Sequence, residues 1–304
     1  MPNPTAHTID PAAIDTLLEG AVDQRTLPGV IAVAGDRDGT VYEGAFGNLT
    51  VDGDTPAQAD TMIAIASMTK AITSVAALQL IEQGRLTLEQ KVSSVLPAFG
   101  ELSVLDGFDG EKPRLRPPVR QATIRQLLTH TSGLVYWFSD ADLLRYHQIE
   151  DLPDPLSGRR GALDGVPLVG DPGARWTYGT SIDWLGRVVE TLAGQDLDAY
   201  CKQHIFAPLG MSDTTFSPSD AQRERLMRLH ERTADDGLSV SPIDLPFDPE
   251  FYSGGGGACS TGRDYLRFMR ALLRGGELDG ERILNPQTVE LIFTDHLGGL
   301  PLRR

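Results

Sequence analysis

Ile65-Ala66-Ser67-Met68-Thr69-Lys70-Ala71-Ile72 is the stretch on which the reading of this chain turns. Before it, apolar residues come in short strand-like runs. From Ser67 the period becomes helical, with Ile72, Val75, Ala76, Gln79 and Leu80 marking a helix that stops at Gly84. Ser67 and Lys70 stand three residues apart at its start, so the hydroxyl and the amine share a face. A serine needs a neighbouring base to become a nucleophile, and a lysine serves when its pKa is depressed. A helix N-terminus helps twice, disfavouring a protonated amine and favouring negative charge that develops at the Ser67 amide. With 16 serines and 4 lysines in 304 residues, chance alone gives about 0.2 such pairs. The pair gains its weight from context. It uses one of only four lysines, and its flanks Ile65, Ala66, Ala71 and Ile72 read as buried.

Outward from this helix the organisation is α+β. Asp10-Pro11 opens a helix carrying Ile14, Leu17, Leu18, Ala21 and Val22. Residues 30–34 and 41–46 read as strands joined by the turn residues Asp36-Arg37-Asp38-Gly39, and 61–65 as a third strand. Thr123 caps a short helix closed by Gly133, and Thr180 or Ser181 caps one with Ile182, Leu185, Val188, Val189 and Leu192 on its apolar face. Further helices are expected over 196–206, from Thr261 to Leu273, and from Asn285-Pro286. Stretches 101–121 and 212–252 read as irregular, 151–175 as a long Pro/Gly-rich loop, and 253–257 as a tight glycine turn near the cleft. No strands are expected near the C-terminus to complete a sheet.

Composition narrows the function. The chain has 27 basic and 42 acidic residues, a formal net charge of −15. Such a surface repels phosphate, which argues against nucleic acid and anionic membranes as partners. No apolar run reaches a membrane span, and residues 1–7 lack the pattern of a secretory signal, so a cytoplasmic location is expected. Cys201 and Cys259 are expected to be reduced and structural, Cys259 as a small core residue. No metal-ligand spacing occurs, so neither a metal nor another cofactor is expected.

A second chemical candidate is Tyr178, in Pro172-Gly173-Ala174-Arg175-Trp176-Thr177-Tyr178-Gly179-Thr180 just before a helix. A tyrosine beside a lysine can shuttle a proton. Ser260, in Ala258-Cys259-Ser260-Thr261-Gly262, has the spacing of a nucleophile elbow but follows a glycine run, so Ser260 and Thr261 read as helix-capping residues.

Taken together, Leu27-Pro28-Gly29, Ser67-Met68-Thr69-Lys70, Leu127-Leu128-Thr129-His130-Thr131-Ser132-Gly133-Leu134, Pro172-Gly173 leading to Tyr178, Pro208-Leu209-Gly210-Met211 and Ser253-Gly254-Gly255-Gly256-Gly257 resemble the serine β-lactamase and penicillin-binding-protein superfamily. The likeness is to its class C-like branch, which includes family VIII carboxylesterases, and covers roughly residues 14–304. It implies a β-lactamase/DD-peptidase-like fold, an antiparallel sheet flanked by helices. The sheet domain is expected from 1–84 and 251–304, with a mainly helical domain inserted at 85–250. It implies Ser67 as the nucleophile of an acyl-enzyme, Lys70 and Tyr178 as the pair that moves its proton, and the Ser67 amide as an oxyanion donor. Tyr136 and Trp137 would line the acyl pocket, and His130 would be a structural hydrogen-bonding residue. Two departures stand out. Tyr178-Gly179-Thr180 replaces the Tyr-x-Asn of the lactamases, which favours esters over lactams. The third family motif, on a late strand, has no counterpart, so the expectation is a chain truncated at its C-terminus relative to its relatives, lacking the last sheet strands. The reading is a serine hydrolase of small carboxylic esters or amides. β-Lactamase, D-amino-acid peptidase and acyltransferase activities, or a catalytically inactive remnant, are the alternatives.

Overall fold

A computed structural model describes residues 9–154, 157–243, 246 and 249–302. The expected absence of a signal in residues 1–7 lies outside them. The chain opens with α1 (Pro11–Asp23), whose first amides, those of Ala12 and Ala13, are capped by the Asp10 carboxylate. Then comes the hairpin β1 (Gly29–Gly35) and β2 (Thr40–Gly47), antiparallel from Gly29 opposite Gly47 to Gly35 opposite Thr40. The Asp36 side chain accepts the Asp38 and Gly39 amides and closes the turn. β3 (Ile63–Ala64) leads into α2 (Thr69–Glu82).

α2 is the axis of the molecule. Ile72, Thr73, Val75, Ala76, Ala77, Leu78, Gln79 and Leu80 are all buried, so the helix is covered nearly all round. Its ends are fixed by Gly84, at φ 69°, and by the turn that carries Ser67. α3 (Pro97–Gly100) follows.

The stretch 101–121, expected to be irregular, instead forms the hairpin β4 (Val104–Asp109) and β5 (Lys112–Arg116). Its Asp109-Gly110 turn, with Gly110 at φ 61°, is hairpin chemistry that the three nearby prolines disguise. After α4 (Ile124–Leu128), opened by a Thr123–Gln126 capping box, α5 (Ala141–Glu150) is a helix that sequence reading missed, capped by Asp140. α6 (Ser181–Ala193) and α7 (Leu197–Cys201) pack on α2. The 212–252 stretch also holds short elements, α8 (Asp220–Glu224) and the ribbon β6 (His230–Arg232) with β7 (Leu238–Val240).

Nor is the last part of the chain free of strands. β8 (Cys259–Ser260) pairs with β3, and α9 (Gly262–Leu273), capped by the Thr261 hydroxyl, lies against β1. β9 (Glu277–Leu278) and β10 (Glu281–Arg282) form a short ribbon before α10 (Pro286–Ile292). Among the described residues every sheet has two strands. One continuous apolar core runs from Ile72 and Leu80 on α2 through Trp184 and Val188 on α6 to Phe268 on α9. No helix among the described residues is long and apolar enough to cross a membrane.

Candidate active site

Ser67 does not lie on α2 itself. It sits in a single 3-10 turn, Ala66–Met68, that feeds the helix. Ala66 holds φ 44°, the left-handed region, which costs a residue with a Cβ about 1–3 kcal/mol. The surroundings impose it. The Ile65 amide donates to the Ala258 carbonyl at 3.0 Å, the Ala258 amide to Thr69 Oγ1 at 3.2 Å, and the Tyr265 hydroxyl to the Met68 carbonyl at 3.0 Å. These bonds, from the residue before β8 and from α9, leave Ser67 exposed while Thr69 below it is fully buried.

The three residues that carry the family resemblance meet at one point. Lys70 Nζ donates to Ser67 Oγ at 3.1 Å, and the Tyr178 hydroxyl donates to the same oxygen at 2.7 Å. Lys70 has two further acceptors, Tyr136 Oη at 3.1 Å and the Gly255 carbonyl at 2.7 Å. Its three N–H donors are thereby all used. The ammonium also lies 4.6 Å from the ring centre of Tyr178 and 5.4 Å from that of Tyr136, within cation–π range of both.

Tyr178 is held by a backbone seam. The Tyr136 amide donates to the Tyr178 carbonyl at 3.3 Å, the Thr177 amide to the His130 carbonyl at 2.8 Å, and the Thr177 hydroxyl to the Leu134 carbonyl at 3.0 Å. Gly179 makes the seam possible. A Cβ there would stand 2.3 Å from the Val135 backbone.

Tyr136 is buried, and that burial, with Asp183 and Tyr178 nearby, pushes its phenol well above the usual tyrosine range, so it serves as a neutral hydroxyl. It also lines the cavity at Ser67. Trp137 does not. Its ring turns into a second apolar cluster with Leu105, Val135 and Leu143, and contacts His147, while Phe138 takes the place in the cavity wall. The three consecutive aromatics sit at the 3-10 turn Trp137–Ser139, where neighbouring side chains point different ways.

The expectation for His130 needs a similar correction. Its backbone joins the seam, yet its buried Nδ1 has no hydrogen-bond partner. The ring packs 4.9 Å from that of Tyr178, and burial, helped by the Lys70 charge, drives its pKa down to about 3. Ser260 is not a capping residue either; it is fully buried, bonded to Thr214 Oγ1 at 2.8 Å, and Thr261 alone caps α9. Cys201 and Cys259 are both unpaired and buried, and burial pushes the Cys259 thiol up to about 11. Among the described residues no group of three or more His, Cys, Asp or Glu side chains could hold a metal.

The cavity at Ser67 has a volume of about 210 Å³. Besides Ser67, Tyr136 and Tyr178, its wall includes Phe138, Leu229 and Ile243. Leu229 and Ile243 flank the β6–β7 ribbon, in a stretch whose sequence pattern gives no sign of a site. Beyond Tyr178 a wider cavity of about 670 Å³ opens, with Trp176, Arg175 and Asp140 in its wall. The arrangement offers a hydroxyl with two hydrogen-bonding neighbours, facing an apolar chamber beside a roomier, more polar one.

The sequence profile of the family described as Beta-lactamase matches residues 14–299. The chain is 36% identical over 300 residues to monacolin J acid methylbutanoyltransferase of Aspergillus terreus, covering 95% of this chain and 72% of that one. It is 35% identical over 295 residues to lovastatin esterase of Penicillium rubens, covering 94% and 73%. The solved structure of a simvastatin synthase variant from Aspergillus terreus superposes with a TM-score of 0.83 at 36% identity, over 96% of this chain and 73% of that one. The chain belongs to the beta-lactamase family and has its β-lactamase/DD-peptidase-like fold of helices with small antiparallel sheets.

Proposed function

We propose that this member of the beta-lactamase family transfers acyl groups from esters to hydroxyl acceptors, water among them, through an acyl-enzyme on Ser67. The observation that carries the reading is the pair of hydrogen bonds at one oxygen, Lys70 Nζ and Tyr178 Oη on Ser67 Oγ, at the edge of an apolar chamber of about 210 Å³. A hydroxyl so placed is arranged for nucleophilic attack. The relatives supply the reaction class, since one is named a methylbutanoyltransferase and another an esterase. Tyr178-Gly179-Thr180, in place of Tyr-x-Asn, favours esters over lactams.

In the first half-reaction Ser67 Oγ bonds to the ester carbonyl carbon. Its proton leaves along one of its two hydrogen bonds, which requires Lys70 as the amine or Tyr178 as the phenolate at that moment. The negative charge on the carbonyl oxygen faces the Ser67 amide in the 3-10 turn that feeds α2. The ester C–O bond then breaks, and the pair returns the proton to the departing alcohol. In the second half-reaction an alcohol or water gives its proton to the same pair, attacks the acyl carbon, and Ser67 recovers its hydrogen. Phe138, Leu229 and Ile243 suit a short apolar acyl chain, whereas the wider cavity past Tyr178 suits a larger alcohol.

Intact-mass analysis after incubation with p-nitrophenyl butyrate, with and without an added alcohol, tests this. We expect an acyl adduct on the wild type, none on Ser67→Ala, and new ester product when alcohol is present. Absence of any adduct on a folded wild-type chain would overturn the proposal.

A further inference from the structure

Asp183 is the deepest carboxylate near the site, and nothing in the acyl-transfer steps uses it. It lies in the first turn of α6 and is buried to within 2% of full coverage. Burying a carboxylate is costly, so its partners matter. Oδ1 accepts the Ser253 hydroxyl at 2.5 Å and the Gly255 amide at 3.1 Å. The Gly255 carbonyl accepts Lys70 Nζ at 2.7 Å, and the adjacent Gly254 carbonyl accepts the hydroxyl of Thr73, one turn along α2 from Lys70, at 2.8 Å. The glycine turn is thus clamped between α6 and α2, with one face on Asp183 and the other on Lys70. Only glycine fits. A Cβ on Gly255 would stand 2.4 Å from Asp183 Oδ2, and one on Gly254 would stand 2.7 Å from the Ile182 carbonyl.

We infer that Asp183 is a positioning residue for Lys70, acting through Ser253 and Gly255 to aim the Gly255 carbonyl at the ammonium and adding its own charge behind it. The inference rests on the proposed acyl-enzyme for its kinetic consequence, though not for its structural one. A turn that merely had to close at 253–257 would need no buried carboxylate beneath it. Burial pushes the Asp183 carboxyl up, while Ser253, Lys70 and the Gly255 amide pull it back toward the charged form. Among the described residues the other titratable side chains set against Lys70 are the phenols of Tyr136 and Tyr178 and the ring of His130; burial keeps the His130 ring neutral. Asp183 is therefore the one carboxyl in this set.

The test compares Asp183→Asn, Asp183→Ala and Ser253→Ala with the wild type. The readouts are the rate of Ser67 labelling by a fluorophosphonate across pH, and the 13Cε resonance of Lys70, which is tractable because the chain has only four lysines. Misplacing Lys70 by about 1 Å costs on the order of 100-fold, so we expect that loss in Asp183→Ala. Asparagine keeps the Oδ1 acceptor, so Asp183→Asn should recover much of the rate. Having lost the charge, it should shift both the labelling profile and the Lys70 titration to lower pH, because a cation without its anion gives up its proton more readily. Ser253→Ala, which keeps charge and packing, should slow labelling a few-fold. Wild-type pH behaviour in a folded Asp183→Asn, or wild-type labelling in Ser253→Ala, would overturn the inference. The second arm decides if both Asp183 variants fail to fold. If the wild type itself takes no label, the acyl-enzyme proposal falls, and the Lys70 resonance alone judges the role of Asp183.

Discussion

The two sides of the cleft are built on opposite plans. Below Ser67 lie α2, α6 and the 253–257 turn, where Thr69, Thr73 and Asp183 are buried polar groups and each has a hydrogen-bond partner. Above it lie Phe138, Ile243 and Leu229, which leave 62%, 61% and 41% of their surfaces exposed and come from turns and the flanks of a three-residue ribbon. The lower side fixes distances, because a satisfied buried polar network has few alternative arrangements. The upper side supplies apolar area with little to lock it in place. On the proposed acyl-transfer reading, chemistry that depends on tenths of an ångström would sit on the first, and contact with a variable acyl chain would fall to the second.

The sharpest way to break this contrast is at the two tyrosines. Tyr178→Phe removes the bond to Ser67 Oγ and should lower acylation about 1,000-fold with no change in preference among acyl chains. Tyr136→Phe removes one of three acceptors from Lys70 and should cost about 10-fold. Rates of p-nitrophenyl acetate, butyrate and hexanoate cleavage measure both. An equal loss in the two variants would mean that Lys70, rather than the Tyr178–Ser67 contact, sets the rate, and the lower side would have to be described as one Lys70-centred network.

The upper side should respond differently. Ile243→Ala and Phe138→Ala each remove exposed apolar surface from the cavity wall, so stability should move by less than about 0.5 kcal/mol. Preference for butyrate over acetate should fall by roughly 10-fold, the effect of a methylene or two of contact. Melting temperature and kcat/KM across the ester series check this. A general loss of rate without loss of preference would show that the upper wall also positions the reacting carbonyl.

The lower side was largely legible in the sequence and the upper side was not, for a physical reason. Ser67 and Lys70 are related by helical geometry three residues apart, and the turn below them requires glycine, which leaves the run 253–257 in plain view. Tyr178 is legible from its place in the loop just before α6. Leu229 and Ile243 carry no such local demand. They come together through the pairing of His230 with Val240, a contact between short, polar-looking segments set among turns. Trp137 and Phe138 show the same limit at finer scale, because a single 3-10 turn decides which of two adjacent aromatics faces the cavity. Asp183 reads as an ordinary first-turn acid on α6, and only its burial sets it apart.

His130 offers the most specific test, behind the lower side rather than in it. Its ring packs on Tyr178 with a pKa near 3, against an ordinary value of 6.5. The unfolded chain therefore binds a proton below pH 6.5 that the folded chain refuses until about pH 3. In that window the unfolded state holds more protons, so stability rises with pH and is lost on acidification, by up to about 1.4 kcal/mol per pH unit for one proton. Asparagine is the replacement to make, since position 130 has φ 55° and asparagine tolerates the left-handed region. His130→Asn should flatten the acid limb of the stability curve, measured by urea unfolding at pH 4 to 7, while labelling of Ser67 at pH 7 changes only a few-fold through the lost packing on Tyr178. An unchanged acid limb would mean that another group takes up the proton. A collapse of Ser67 labelling would place His130 inside the network that the lower side is built from.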